Sequence, residues 1–168
     1  MNRALLALAL ALAACGASKE DGPVPDSGPC VADPVPPGAA QCPAACTSCD
    51  GGICRIECGQ GACNDATIEC PADFACAITC SGLDSCDTTT IQCNAEYACT
   101  VDCTAYDACG DVTLRCGTGT CTMTCNGPSE SCGGARIDCA LGGACGAVCD
   151  GVAGPSMDCP GACSCTGC

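Results

Sequence analysis

Short stretches of alternating apolar and polar residues recur along most of this chain. In one of them Cys76, Ile78 and Cys80 alternate with Ala77 and Thr79. A period of two predicts a β-strand with one buried face. Segments rich in Ser, Gly, Asp and Asn separate these stretches and are typical of turns. The pattern therefore predicts two short strands and two turns in each repeat.

The repeat has a fixed length of 23 residues between about Cys54 and Cys149. Residues at that spacing form two cysteine columns and one aliphatic column: Cys70, Cys93, Cys116 and Cys139; Cys63, Cys86, Cys109 and Cys132; and Ile68, Ile91, Leu114 and Ile137. A second apolar strip is predicted at Ile56, Ile78, Val101, Met123 and Val148. Each of these residues lies between two successive cysteines. Where the gap before Cys121 shortens by one residue, the gap before Cys132 lengthens by one, so the period survives.

A fixed period of this length is typical of a solenoid, in which each repeat buries its apolar face against its neighbours. The predicted fold is all-β, a narrow disulfide-stapled β-solenoid with rungs of 23 residues. We expect Ile91 to point inward and Asp107 outward. Cysteine spacing alone also fits a chain of irregular disulfide-rich modules, which is the alternative.

The composition requires covalent links. From Cys42 onward Ile, Leu, Val, Met and Phe number sixteen, too few for an ordinary core. Disulfides would compensate by lowering the entropy of the unfolded chain. The candidate structural bridges involve Cys63, Cys70, Cys76, Cys80, Cys86, Cys93, Cys99, Cys103, Cys109, Cys116, Cys121, Cys125, Cys132, Cys139, Cys145 and Cys149.

A thiolate metal store is the rival interpretation of so many cysteines. It would need dense C-x-C and C-x-x-C spacing. Such spacing occurs only at Cys46 and Cys49 and in the cluster Cys163, Cys165 and Cys168. Disulfides are therefore the expectation, and the terminal cluster is its weakest part.

The chain begins like an exported protein. Arg3 precedes an unbroken run of Ala and Leu over 4–14, which matches the charged and apolar regions of a signal peptide and is too short to span a bilayer. The sequence Leu12-Ala13-Ala14-Cys15 resembles the lipobox of bacterial lipoproteins. The resemblance implies cleavage before Cys15, diacylglycerol on its sulfur and an acylated amino terminus. Gly16 stands where an inner-membrane retention Asp would be, which favours the outer membrane.

Three segments are predicted: a lipoprotein signal peptide (1–14), a lipidated, Pro-rich tether (15–41) and a Cys-rich repeat domain (42–168). The tether is expected to be a semi-rigid spacer because its prolines favour extended geometry. Cys30 lies inside it. It either ties the tether back onto the domain or bonds to another chain.

The C-x5-C spacing and the stacked Thr-bearing strands resemble insect β-solenoid antifreeze proteins. Their short coils are bridged by disulfides. The resemblance implies the same architecture over about 100 residues and ice binding through a regular Thr-x-Thr array on one flat face. In this chain only Thr122 and Thr124 flank an inward residue as such a pair.

The residue types disfavour catalysis. The chain has no histidine, so it lacks the usual general base near neutral pH and the commonest catalytic metal ligand. Paired carboxylates could still act as acid and base, which keeps an enzyme as a third hypothesis. Cys46-Thr47-Ser48-Cys49 lacks the βαβ context of a redox motif. No cofactor is expected.

The net charge of −14 predicts repulsion from nucleic acid and from anionic lipid surfaces. Asp84, Asp107 and Glu130 stand 23 residues apart and would form a carboxylate column in a stack of rungs. The column is either a solvated acidic face or a weak metal site. We expect a non-enzymatic, lipid-anchored cell-envelope protein that acts as a spacer or interaction platform, with a cation-binding surface module as the alternative.

Overall fold

The computed structural model describes residues 28–168, which contain twelve strands and no helix. None of these residues therefore belongs to a helix long and apolar enough to cross a membrane. In chain order the strands are β1 (Ser48–Asp50), β2 (Ile53–Cys58), β3 (Thr67–Glu69), β4 (Ala75–Cys80), β5 (Thr90–Gln92), β6 (Cys99–Cys103), β7 (Thr113–Arg115), β8 (Cys121–Cys125), β9 (Arg136–Asp138), β10 (Ala144–Cys149), β11 (Ser156–Asp158) and β12 (Ser164–Thr166).

The strands form two sheets. Sheet A has the order β1-β2-β4-β6-β8-β10-β12, and sheet B has the order β11-β9-β7-β5-β3. Apart from the antiparallel β1–β2 pair, all neighbouring strands are parallel. Each rung contributes one strand to each sheet, and about five rungs stack at steps of about 23 residues. The predicted disulfide-stapled β-solenoid is confirmed, and the irregular modules were the wrong alternative.

Two kinds of corner join the sheets. The wide corner leads from a sheet A strand to the next sheet B strand, and the narrow corner leads from sheet B back to sheet A. The wide corners are residues 59–66, 81–89, 104–112, 126–135 and 150–155. The narrow corners are residues 70–74, 93–98, 116–120, 139–143 and 159–163.

Each strand from β2 to β9 places one large apolar side chain in the interior. Ile91 is fully buried and lies between Ile68 and Leu114 in sheet B. On the opposite side Val101 lies between Ile78 and Met123 in sheet A. These residues belong to one core cluster together with the corner cysteines.

The prediction that Val148 continues the sheet A strip is wrong. Val148 pairs with Thr124 and is 58% exposed, whereas Ala147 pairs with Met123 and is 8% exposed. Because Cys145 and Cys149 are held inward, alternation along β10 turns the residue midway between them inward. That residue is alanine, so the core narrows at the fifth rung.

The one-residue slip around Cys121 is absorbed by the corners. Cys99 pairs with Cys121, and Leu114 pairs with Ile137. The bridged cysteines are five residues apart at the narrow corner before β8, where the other narrow corners have six, and seven apart at the wide corner after it, where the two preceding wide corners have six. Both sheets therefore keep their inward faces.

The amino-terminal edge of sheet A is closed by a hairpin. Gly51 and Gly52 connect β1 to β2 and have positive φ angles of 55° and 81°. A two-residue turn of this kind requires φ above zero at both central positions, which favours glycine. The hairpin turns the polypeptide so that β1 runs opposite to the other strands of sheet A.

The segment from Cys30 to Gly38, called the strap below, lies along the narrow corners. Cys30 forms a disulfide with Cys163 in the last narrow corner, and the Gly38 amide donates a hydrogen bond of 2.9 Å to the Asp73 carbonyl oxygen in the first. Between them the Thr120 amide donates a hydrogen bond of 2.7 Å to Asp33 Oδ1. Cys30 is thus tied back onto the domain.

Ile91→Asp should prevent correct oxidative folding, because a buried, unpaired carboxylate costs several kcal/mol. Gln92→Asp introduces the same group one residue later, on the exposed side of β5, and should fold like the wild type. Disulfide mapping by mass spectrometry and circular dichroism would compare the two variants. Equal damage in both would contradict the inward assignment of Ile91.

Candidate functional site

Disulfides close the corners of successive rungs. At the narrow corners the bridges are Cys70–Cys76, Cys93–Cys99, Cys116–Cys121, Cys139–Cys145 and Cys159–Cys165. At the wide corners they are Cys58–Cys63, Cys80–Cys86, Cys103–Cys109 and Cys125–Cys132. Each joins cysteines five to seven residues apart. The bridges thus fix the path of the backbone at the places where it changes sheets.

The two ends have their own bridges. Cys42–Cys49 and Cys46–Cys54 hold the hairpin, Cys149–Cys168 holds the carboxyl terminus, and Cys30–Cys163 holds the strap. All sixteen candidate bridge cysteines are disulfide-bonded, and all 26 cysteines in the described range form thirteen bridges.

Sulfur atoms of neighbouring rungs lie close together. Within 28–168, the groups of three potential metal ligands near enough to share an ion consist of cysteine sulfurs, for example Cys58, Cys63 and Cys86. Each of those sulfurs is already half of a disulfide. Cysteine sulfur binds zinc as a thiolate and not as a disulfide, so these groups are stacked bridges.

The carboxylate column has a backbone explanation. Asp84, Asp107 and Glu130 occupy equivalent positions in successive wide corners, with φ angles of 53°, 52° and 81°. Gly61 stands at the same position one rung earlier, with φ of 62°. Left-handed backbone favours Gly and tolerates Asp or Asn through local hydrogen bonding. The column therefore marks a turn position that needs positive φ.

The acidic residues nonetheless interact. The Asp111 amide donates a hydrogen bond of 3.2 Å to Asp87 Oδ1. A Cβ added at Gly110 would collide with the carboxylates of both Asp87 and Asp107, so the glycine leaves room for these two groups. Burial raises the pKa of Asp107, and the negative charges of Asp87, Asp84, Glu130 and Asp111 raise it further.

Sequence analysis did not select Asp87 and Asp111 because they do not belong to the 23-residue column. Their only signal is that they lie in the same wide corners. They join Asp107 and Glu130 in lining a shallow groove of about 470 Å³. Among the residues that the structure describes, no three carboxylate oxygens form a ligand cluster. The groove concentrates negative charge without a preformed coordination shell.

Tyr106 lies at the edge of this groove. Its hydroxyl donates a hydrogen bond of 3.0 Å to Glu130 Oε2. That bond and the negative charge of Glu130 raise the pKa of Tyr106. The phenol therefore stays protonated near neutral pH and serves as a donor to the carboxylate.

The outer face of sheet A shows how far the antifreeze resemblance extends. Thr122 and Thr124 flank the inward Met123, and Thr100 and Asp102 occupy the same positions one rung earlier. Arg55 and Glu57 occupy them in β2. The face is a parallel ladder of mostly small side chains, but charged groups interrupt its Thr-x-Thr array.

A second groove of about 340 Å³ lies between the strap and the narrow corners. Val31, Asp33 and Pro34 line one side, and Thr118 and Leu141 line the other. Val31 and Leu141 are largely exposed. The groove has no histidine or thiol, and its side chains offer apolar contact, the Thr118 hydroxyl and the carboxylates of Asp33 and Glu96.

The predicted lipidation residue Cys15 and signal peptide 1–14 lie outside the described residues. Comparison with protein-family models, with curated proteins and with solved structures found no match for this chain. Its function is therefore inferred from its own residues.

Asp107→Asn should raise the melting temperature at pH 7. The folded pKa of Asp107 lies above the unfolded value of 3.8, so ionisation of Asp107 destabilises the fold as pH rises through that window. The difference in melting temperature between Asp107→Asn and the wild type should shrink as the pH falls toward 3.8. Thermal melts of both proteins between pH 3 and pH 8 would measure it.

The same melts with Ca²⁺ distinguish a solvated acidic face from a cation site. For a solvated face, millimolar Ca²⁺ should leave the wild-type melting temperature nearly unchanged. A saturable rise that disappears after Asp84→Asn, Asp107→Asn and Glu130→Gln are combined would instead establish cation binding to the folded state.

Glu130→Gly should stabilise the protein by about 1 kcal/mol, because a left-handed conformation costs an L-residue roughly that much. Glu130→Ala is the matched control: it also removes the charge and the bond to Tyr106, but it keeps the Cβ. The alanine variant should therefore gain less. Chemical unfolding of the disulfide-intact proteins would compare them, and equal gains would assign the effect to charge alone.

Proposed function

We propose that this protein is a non-enzymatic, lipid-anchored lipoprotein of the cell envelope, held in the outer membrane through lipid on Cys15. Its disulfide-stapled solenoid would act as a spacer or as a platform for another protein or surface. The observation that carries the proposal is the lipobox-like sequence Leu12-Ala13-Ala14-Cys15, directly after a short apolar run.

Cysteine pairing supports the anchor. The chain has 27 cysteines, and the 26 from Cys30 onward pair among themselves. No described cysteine is left to bond with Cys15. A lipidated thioether is the modification that its sequence context favours, and two or more acyl chains give stable membrane attachment at about 0.8 kcal/mol per buried methylene.

The cross-links support an exported location. Disulfides persist in oxidising compartments such as the periplasm and the cell surface. A domain with so few large apolar side chains in its interior would depend on that environment. The signal peptide, the anchor and the bridges would therefore all act in the same compartment.

The shape supports a spacer or a platform rather than an enzyme. The interior is filled by aliphatic side chains and disulfides, and both grooves described above are shallow surface features. Functional groups are therefore confined to the outer faces and the corners. Repeated surfaces of this kind suit extended contacts with a partner.

The acidic groove makes a cation-binding surface module the second candidate. The observation in its favour is the convergence of Asp87 and Asp107 over Gly110, together with the raised pKa of Asp107. A weakly bound divalent cation would relieve this repulsion.

Cys15→Ser should abolish lipid attachment and leave the precursor uncleaved by the lipoprotein peptidase. Intact mass and membrane fractionation of the expressed full chain would measure both effects. Cys42→Ser is the matched control, since it removes a cysteine in the repeat domain and should keep the lipid. Recovery of unlipidated wild-type protein in the soluble fraction would contradict the anchor.

A further inference from the structure

The strap runs against the direction in which the rungs are stacked. The rungs advance from the hairpin at one end to β12 at the other. Cys30 forms a disulfide with Cys163 at the β12 end, and the Gly38 amide donates a hydrogen bond to the Asp73 carbonyl oxygen near the hairpin. The chain therefore enters the solenoid at its carboxyl-terminal end and is carried back to the hairpin before the first rung begins.

The length of the strap agrees with this path. The narrow corners that bond Cys30 and Gly38 are four rungs apart, which is about 19 Å at the usual spacing of parallel strands. Eight residues of extended polyproline-like backbone span about 25 Å. Pro34, Pro36 and Pro37 favour that geometry and have no amide hydrogen to satisfy.

The contacts of the strap are specific at both ends. The Cys30–Cys163 disulfide closes a loop of 133 residues, whereas the corner bridges close loops of five to seven. Near the hairpin, a Cβ added at Gly52 would collide with the Pro36 carbonyl oxygen, and Gly38 lies close to the Gly52 backbone. The strap is therefore fixed to the solenoid at both ends.

We propose that the Cys30–Cys163 disulfide determines which end of the solenoid faces the membrane. This inference rests on the proposed lipid at Cys15. Fifteen residues separate Cys15 from Cys30, and they can span at most about 50 Å. Because the lipid is joined first to the β12 end, that end lies nearer to the lipid surface on average than the hairpin end does.

Without this disulfide the strap loses its attachment at the β12 end. The first remaining hydrogen bond is that between Asp33 and Thr120, midway along the narrow corners, and the next is that between Gly38 and Asp73 near the hairpin. The lipid is then no longer joined directly to the β12 end of the rod. The Cys30–Cys163 disulfide thus determines which end of the solenoid is joined to the lipid.

The experiment places a fluorescent donor at either edge of sheet A in the lipidated full chain. Asp50 in β1 and Thr166 in β12 are exposed and occupy opposite edges of the same sheet. A noncanonical amino acid at one of them carries the donor, and phosphatidylcholine vesicles contain an acceptor-labelled lipid. We expect higher energy transfer from position 166 than from position 50.

The variant Cys30→Ser combined with Cys163→Ser should abolish or reverse this difference. Cys42→Ser with Cys49→Ser is the matched control, because it removes another bridge at an exposed cysteine and leaves the strap disulfide intact. Disulfide mapping would verify that the remaining bridges form in both variants. The control should keep the wild-type order of transfer.

The outcomes separate the two proposals. Failure of the wild-type chain to bind vesicles would overturn the lipid anchor. Binding with equal or higher transfer from position 50 would leave the anchor standing and overturn the polarity. Because that comparison uses the wild-type pairing of cysteines, it remains decisive even if the strap variant fails to fold.

Discussion

Everything in this molecule depends on covalent closure of its corners. Each strand from β2 to β9 places only one large apolar side chain in the interior, so burial of apolar surface alone cannot offset the entropy of ordering the backbone. Closing a loop of about six residues by a disulfide contributes roughly 2 kcal/mol in the chain-entropy model. Because each corner bridge joins near neighbours in sequence, it orders one rung without requiring distant contacts. The parallel ladders can then form between corners that are already shaped.

This construction places chemistry at the corners. Because the strands alternate, cysteines and apolar residues occupy their inward positions, whereas threonines and charged residues occupy most of their outward positions. The wide corners need left-handed backbone, which Gly61 satisfies without cost and Asp84 and Asp107 satisfy through their short polar side chains. The need for a positive φ angle at one position of each wide corner thus produces the column of carboxylates. Burial of Asp107 in that column, together with the negative charges stacked around it, raises the pKa of Asp107.

Much of the fold was predictable because residues at equivalent positions recur at a fixed spacing in the sequence. The aliphatic column through Ile91 and the flanking cysteines indicated the strands, the period and the inward faces. The pattern failed at Val148, where the larger apolar residue was chosen over Ala147; counting residues from Cys145 would have corrected it. The partner of Cys30 could not be read from the sequence, since 26 cysteines allow a vast number of pairings. Gly61 in register with Asp84 was an available sign that the acidic column serves the backbone.

Because its rungs repeat, the solenoid has similar sides along its length. Its two ends are the parts that differ most from each other. Here one end is a hairpin with antiparallel pairing, and the other is an edge strand beside the junction of Cys30 and Cys163. The strap joins these ends along one side, so the chain arrives where the solenoid finishes. A tether attached directly to the hairpin would have needed no such return. The return therefore brings Cys30 beside the final rung, and the strap leaves the outer faces of both sheets uncovered.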